Sequence, residues 1–164
     1  MKRLPIESEE LDAVDLRILG ILLEDARVSV AEIARRVKMS APGVAERMKR
    51  LEESGVIEGY RVAINPTALG LPLGAWLRVR PVPGELGRVT EILKDIPEIA
   101  TCDRVTGEDC FIVRVQVRSV ADLERVIDRI IPYAMTNTAI IQSSPVPSRL
   151  PMPAAAKGVR GLPR

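Results

Sequence analysis

At 164 residues, with 46% hydrophobic side chains and a formal net charge of +2, the chain is long enough for two small cores but is not globally basic. It contains no histidine and only two cysteines, which removes histidine acid–base chemistry and any zinc site built from its own cysteines and histidines. Aromatic residues make up 2%, too few for a base-stacking platform, and no run of about 18 apolar residues marks a membrane span.

The opening MKRLPIESEELDAVD lacks the apolar segment of a secretory leader, so a cytoplasmic location without membrane attachment is expected. Leu11, Val14, Ile18 and Leu22 then recur at helical spacing, with Asp12 as the cap and Asp15 in the first turn near the positive end of the dipole. A second helix starts at Ser29, where Ser29 and Glu32 form an S-x-x-E capping box and Val30, Ile33, Ala34 and Val37 make the buried side. It stops near Lys38. Ser40 supplies the next cap, Pro42 is tolerated in a first turn, and Val44, Met48 and Leu51 form the apolar stripe of a third helix.

Two short helices joined by a tight turn are the arrangement that offers a helix to the DNA major groove. Residues 1–62 carry 11 basic and 12 acidic side chains, so overall charge gives no support, but Arg35, Arg36, Lys38, Arg47, Lys49 and Arg50 face Glu46 alone between positions 35 and 50. On this reading Ser40, Ala41, Pro42, Gly43, Glu46 and Arg47 meet the groove, with Arg47 the candidate for a guanine, while Arg36, Lys38, Lys49 and Arg50 run along phosphates. By itself the stripe fits a solvated helix face equally well.

Gly55 is suited to a helix C-cap, and the apolar residues from Ser54 to Ile64 read as an extended wing. With these residues in view, the chain resembles the feast/famine regulators, the leucine-responsive and asparagine-synthase regulator (Lrp/AsnC) family. The shared pattern is Leu11-Asp12 with Asp15 and Ile18-Leu19, then Arg27, Ile33-Ala34, Ser40, Val44, Arg47, Leu51, Gly55-Val56-Ile57 and Gly59-Tyr60. The resemblance implies a transcriptional regulator with an N-terminal winged helix-turn-helix over 1–62 that reads double-stranded DNA, a palindromic operator by symmetry.

Residues 63–73, AINPTALGLPL, read as a linker. Beyond it, Gly74–Val82 alternates as a strand, Leu86, Val89, Leu93 and Ile96 have helical spacing, Ile99–Thr106 and Cys110–Arg118 form a hairpin about Gly107, Ser119 caps a helix with Leu123, Val126, Ile127 and Ile130, and Thr136–Ser143 is a last strand. The order βαββαβ over 74–145 gives a ferredoxin-like sheet with two helices on one face and an α+β chain overall. The other face, with Trp76, Ile112 and Ala139 or Ile140 interrupted by Arg78, Arg80 and Arg114, is expected to pair with a second copy, although a solvated sheet face is common in antiparallel sheets. Cys102 and Cys110 are expected as buried free thiols.

The resemblance implies that this domain makes a homodimer or higher homo-oligomer and holds a small effector, an amino acid, at a glycine-centred turn. Here the turn reads Thr106-Gly107-Glu108-Asp109, and Thr136, Asn137 and Thr138 match the family's polar strand. The sequence departs from the family's aromatic and aspartate at Asp109 and Cys110. Read without the resemblance, the turn is an ordinary hairpin. Two other classes fit the two-domain plan: a siroheme-decarboxylase-like enzyme, disfavoured by the lack of histidine, and a stand-alone sensor, disfavoured by the charge at 35–50. No catalytic set, cofactor or metal is expected. The tail 146–164, Pro-rich with Arg149, Lys157, Arg160 and Arg164, is expected to be disordered.

Overall fold

The computed structural model describes residues 11–151, which fall into two compact units, the second of them Ala63–Pro147 and the first the described residues up to Val62 together with those from Ser148. Most of the basic tail expected to be disordered lies outside the described residues.

In the first unit, helix α1 (Ala13–Glu24) begins where Asp12 accepts hydrogen bonds from the backbone N–H of Val14 and Asp15, and Asp15 returns the favour by accepting from the N–H of Asp12. That is a complete capping box, satisfying helix-end donors that would otherwise face only water. Helix α2 (Val30–Val37) has only half of its expected box. Ser29 accepts from Glu32 N–H, but the Glu32 carboxylate is drawn instead to Arg35 and Arg36. The charged fork of an arginine outcompetes a single neutral N–H for a carboxylate.

Helix α3 (Ala41–Glu53) follows a three-residue turn, with Ser40 capping Gly43 N–H and Pro42 in its first turn. Lys38, the C-cap of α2, sits in the left-handed region at φ 59°, where a side chain costs about 1–2 kcal/mol relative to the right-handed conformation. Ile18, Ile21 and Leu22 of α1 close the core against Ile33, Ala34 and Val37 of α2 and Val44 of α3. The segment expected as an extended wing runs through residues 58–65 without a ladder partner among the described residues, and Val62 is 84% exposed.

In the second unit the segment read as a linker holds a 3₁₀ turn, Pro66–Leu69, capped by Asn65 and closed by Gly70 at φ 75°. It is tied down where Gln116 Nε2 donates to the Leu71 carbonyl at 2.6 Å. Strands β1 (Leu73–Pro81), β2 (Ile99–Arg104), β3 (Phe111–Val117) and β4 (Ala134–Ile140) form one antiparallel sheet in the order β2-β3-β1-β4, with helix α4 (Leu86–Lys94) after β1 and helix α5 (Val120–Ile130) after β3. β4 starts two residues before the expected Thr136 and ends at Ile140.

Strand alternation sends Ala75, Leu77 and Val79 of β1 and Phe111, Val113, Val115 and Val117 of β3 toward the helices, where Val89, Leu93, Leu123, Val126 and Ile130 cover them. The edge strand β2 is almost wholly exposed. Cys102 and Cys110 are free thiols as expected, but neither is buried: Cys102, on the exposed edge strand β2, is exposed, and Cys110 is half-buried.

Candidate DNA-facing surface and effector turn

Helix α3 presents Pro42, Ala45, Glu46 and Lys49 outward at the i, i+3, i+4, i+7 spacing of one helix face, all of them exposed. Ala45 escaped the sequence reading, which took the run 40–43 at the start of the helix and then the charged Glu46 and Arg47; its place one turn from both Pro42 and Lys49 was the available clue. Gly43 is half-buried, and a Cβ there would come within 3.1 Å of Ser40 Oγ and 3.4 Å of Met39 Cε. Gly43 thus serves close packing at the turn, not the outer stripe, and Ala41 likewise packs against the core.

Arg47 has partners that the sequence did not suggest. Its Nη1 donates to Asp12 Oδ2 at 2.6 Å and to Asp15 Oδ1 at 2.8 Å, while Arg50 Nη2 donates to Asp15 Oδ2 at 2.9 Å. Asp15 is fully buried, and the two arginines close over it. The expected guanine contact therefore gives way to a clamp that fixes the start of α1 to the middle of α3. The backbone N–H of Asp15 and then the Arg47 guanidinium lower the pKa of Asp12 to about 2, and hydrogen bonds to Asp15 and Asp12 raise that of Arg47.

The same accounting changes the basic patch. Glu32 holds both Arg35 and Arg36, its pKa lowered to about 2 by those two hydrogen bonds, and Lys49 lies 3.8 Å from Glu53 along the helix. Among the described residues Lys38 has no ion-pair partner within 4 Å, and it stands at the turn that leads into α3.

In the second unit the β2–β3 hairpin closes through Val105 N–H on the Cys110 carbonyl and docks on β1 through Cys110 N–H on the Val79 carbonyl. Gly107 has φ 112°, a conformation that side chains rarely adopt. The turn carries Thr106, Glu108 and Asp109, and from it Asp109 reaches Arg78 at 3.4 Å and Glu108 reaches Arg80 at 3.7 Å, both on β1. Asn137 of β4 is the cross-strand neighbour of Arg78 and shares its face. Thr136 and Thr138 pair with Val79 and Leu77 and point to the opposite, helix-covered side. The expected effector residues are thus brought together only in part: Asp109 and Asn137 both adjoin Arg78, while the two threonines cannot join them on one face.

The open face of the sheet carries Trp76, 39% exposed, between Arg114 of β3 and Ala139 of β4, and the Arg114 guanidinium lies 5.9 Å from the Trp76 ring centre. Of the two residues considered for this face, Ala139 lies on it and Ile140 does not. No helix among the described residues is long and apolar enough to cross a membrane.

Comparison with known proteins agrees with both units. Residues 11–58 match a family described as winged helix-turn-helix DNA-binding, and residues 75–151 match the Lrp/AsnC ligand binding domain. The HTH-type transcriptional regulator LrpC of Bacillus subtilis is 32% identical over 82% of this chain and 93% of its own length. The regulator LrpA of Mycobacterium tuberculosis is 34% identical over 80% of this chain and 88% of its own. Among solved structures, that of B. subtilis LrpC superposes with a TM-score of 0.79, covering 82% of this chain and 96% of LrpC at 32% identity. A feast or famine regulatory protein from M. tuberculosis complexed with L-methionine superposes with a TM-score of 0.81 at 32% identity, covering 87% of this chain and 99% of that one.

Proposed function

The chain belongs to the Lrp/AsnC family of HTH-type transcriptional regulators, and from that premise we propose that it is a non-enzymatic cytoplasmic regulator that reads double-stranded DNA with α3, dimerises through its open sheet face and answers to an amino acid held at the Gly107 turn. One observation carries the DNA reading: the outward stripe Pro42, Ala45, Glu46 and Lys49 is free to enter a groove while Arg47 and Arg50 hold the helix from behind. Pro42 and Ala45 offer apolar contact to a thymine methyl, Glu46 accepts from a cytosine amino group, and Lys38, Lys49, Arg36 and the N-terminal amides behind Ser40 meet phosphates.

Dimerisation is supported by the open face, where Trp76 and Ile112 offer apolar surface that a second copy would cover. A two-fold dimer places two α3 helices about 34 Å apart, on successive turns of a palindromic operator. The amino-acid effector is supported by the matched ligand-binding domain and by the L-methionine bound to the M. tuberculosis relative. It acts by binding one assembly state more tightly than another.

The test is fluorescence anisotropy of the full chain against fragments of its own genome, titrated with salt. Lys49→Ala is expected to weaken all sequences alike and to reduce the salt slope by about 1, while Ala45→Glu should abolish discrimination between the best fragment and random DNA. Unchanged binding by both variants would remove α3 from the interface.

A further inference from the structure

Glu46 stands on the outer stripe of α3 with Lys49 three residues and Arg50 four residues further on, both within side-chain reach. It is exposed, and among the described residues it has no ion-pair partner within 4 Å. A glutamate four residues before an arginine is the favoured orientation for a pair along a helix, so something must draw the cations away. Lys49 leans toward Glu53 at 3.8 Å, and Arg50 Nη2 donates to Asp15 Oδ2 at 2.9 Å. The second hold is the stronger. Glu53 is 68% exposed and keeps its hydration, whereas the buried Asp15 carboxylate depends on its protein partners. Arg50 is itself half exposed and within reach of either carboxylate, and burial settles the competition in favour of Asp15.

Resting on the proposed entry of α3 into the major groove, we propose that Asp15 determines DNA specificity as a positioning residue: it holds Arg50 away from Glu46 and so leaves the Glu46 carboxylate free to accept from a cytosine amino group. Asp15 itself touches no base. With Arg50 closed on Glu46, carboxylate oxygen would be spent within the helix, and the negative charge would be neutralised where an amino group is to be read. Arg47 cannot quench Glu46 in the same way, because a residue adjacent in sequence leaves the helix about 100° round from it. The buried carboxylate at the start of α1 thus has two consequences, one for the fold and one for what α3 can read. An exposed glutamate–arginine pair on a helix is weak, so keeping Arg50 away raises discrimination by about twofold.

The experiment is competition anisotropy of the full chain on its best genomic fragment and on versions in which each C·G pair is exchanged in turn for T·A. Glu46→Gln in the wild type identifies the pair that Glu46 reads, where discrimination should fall at least about fivefold. Asp15→Asn should lose about twofold at that same pair and at no other. The D15N/R50Q double variant, in which Arg50 no longer competes for Glu46, should recover the wild-type discrimination whatever it costs in overall affinity. A purely structural Asp15 predicts the reverse, with the double variant no better than D15N and the loss spread over all pairs, and that result would overturn the proposal. Two variants that leave Asp15 in place decide the matter even if D15N does not fold. R50K, a cation one bond shorter and without the fork that grips Asp15, should discriminate less well than the uncharged R50Q. R50K equal to R50Q or better would overturn the proposal. If E46Q changes no pair, the base reading by Glu46 falls and the proposal with it; if E46Q acts and D15N does not, only the role of Asp15 falls.

Discussion

Asp15 and Asp109 both face arginines contributed by another element, yet the settings differ in almost every physical respect. Asp15 is fully buried, receives two guanidinium groups at 2.8 and 2.9 Å and also accepts the N–H that starts α1. Asp109 sits in a turn with its side chain 30% exposed and its arginine at 3.4 Å. A buried carboxylate can be tolerated only when its oxygens are fully engaged, so the first arrangement is structural. The second keeps much of its hydration, contributes little to stability and stays available to a ligand. Residue type is the same in both places; burial and hydrogen-bond geometry decide which one holds the fold and which can be exchanged.

The largest expected effect comes from breaking the buried member. Asp15→Ala leaves Arg47 and Arg50 facing a cavity and removes half of the α1 capping box. It should destabilise the first unit by about 3 kcal/mol, the low end for a broken buried pair because both arginines still reach water. Chemical denaturation measures it, and a loss below about 1 kcal/mol would mean that the clamp is held elsewhere.

A pH titration separates the settings next. The pKa of Asp12 is depressed from 3.8 to about 2. A depressed carboxylate contributes stability that is fully present above its unfolded value and is lost as pH falls through the folded one, so its share disappears between about pH 4 and pH 2. Asp12→Asn keeps a capping side chain but cannot titrate. The melting temperature of that variant should therefore fall less steeply across this window than that of the wild type, leaving the slope due to Glu32, whose pKa is also lowered to about 2.

These contrasts show where a sequence can be read and where it cannot. Local signals carried the fold: Asp12, Ser29, Ser40 and Ser119 each cap the helix expected after them, and the apolar periods of 2 and 3.6 located four strands and five helices among the described residues. Long-range partners were beyond reach. Nothing in the spacing of Arg47 shows that carboxylates 32 and 35 residues earlier will occupy it. The choice of Glu32 between Ser29 and two arginines turns on relative strength, which a capping motif does not encode. Thr136 and Thr138 were grouped with Asn137 by resemblance, although strand alternation alone sends neighbours to opposite faces.

The turn that carries Glu108 and Asp109 tests the exposed setting from the backbone side. Gly107→Ala meets no atom within 4 Å of the new Cβ, so its cost is the φ of 112° alone. About 1 kcal/mol is expected, read by thermal unfolding of the full chain. A larger loss would mean that the hairpin contributes to the second unit more than its exposed contacts indicate.

The smallest effect is the most diagnostic. Arg80→Ala and Glu108→Ala remove the two ends of the longer exposed pair, and a double-mutant cycle on unfolding free energy isolates their coupling. At 3.7 Å, with Arg80 54% and Glu108 88% exposed, the attraction is screened by water and offset by the entropy of holding two long side chains together. The coupling should stay below about 0.5 kcal/mol in the free protein. The corresponding cycle on Asp15 and Arg50 should exceed it severalfold, because there the carboxylate has no water to fall back on. Equal couplings would mean that burial does not distinguish the pairs, and the effector turn would then have to break a structural contact before it could bind anything.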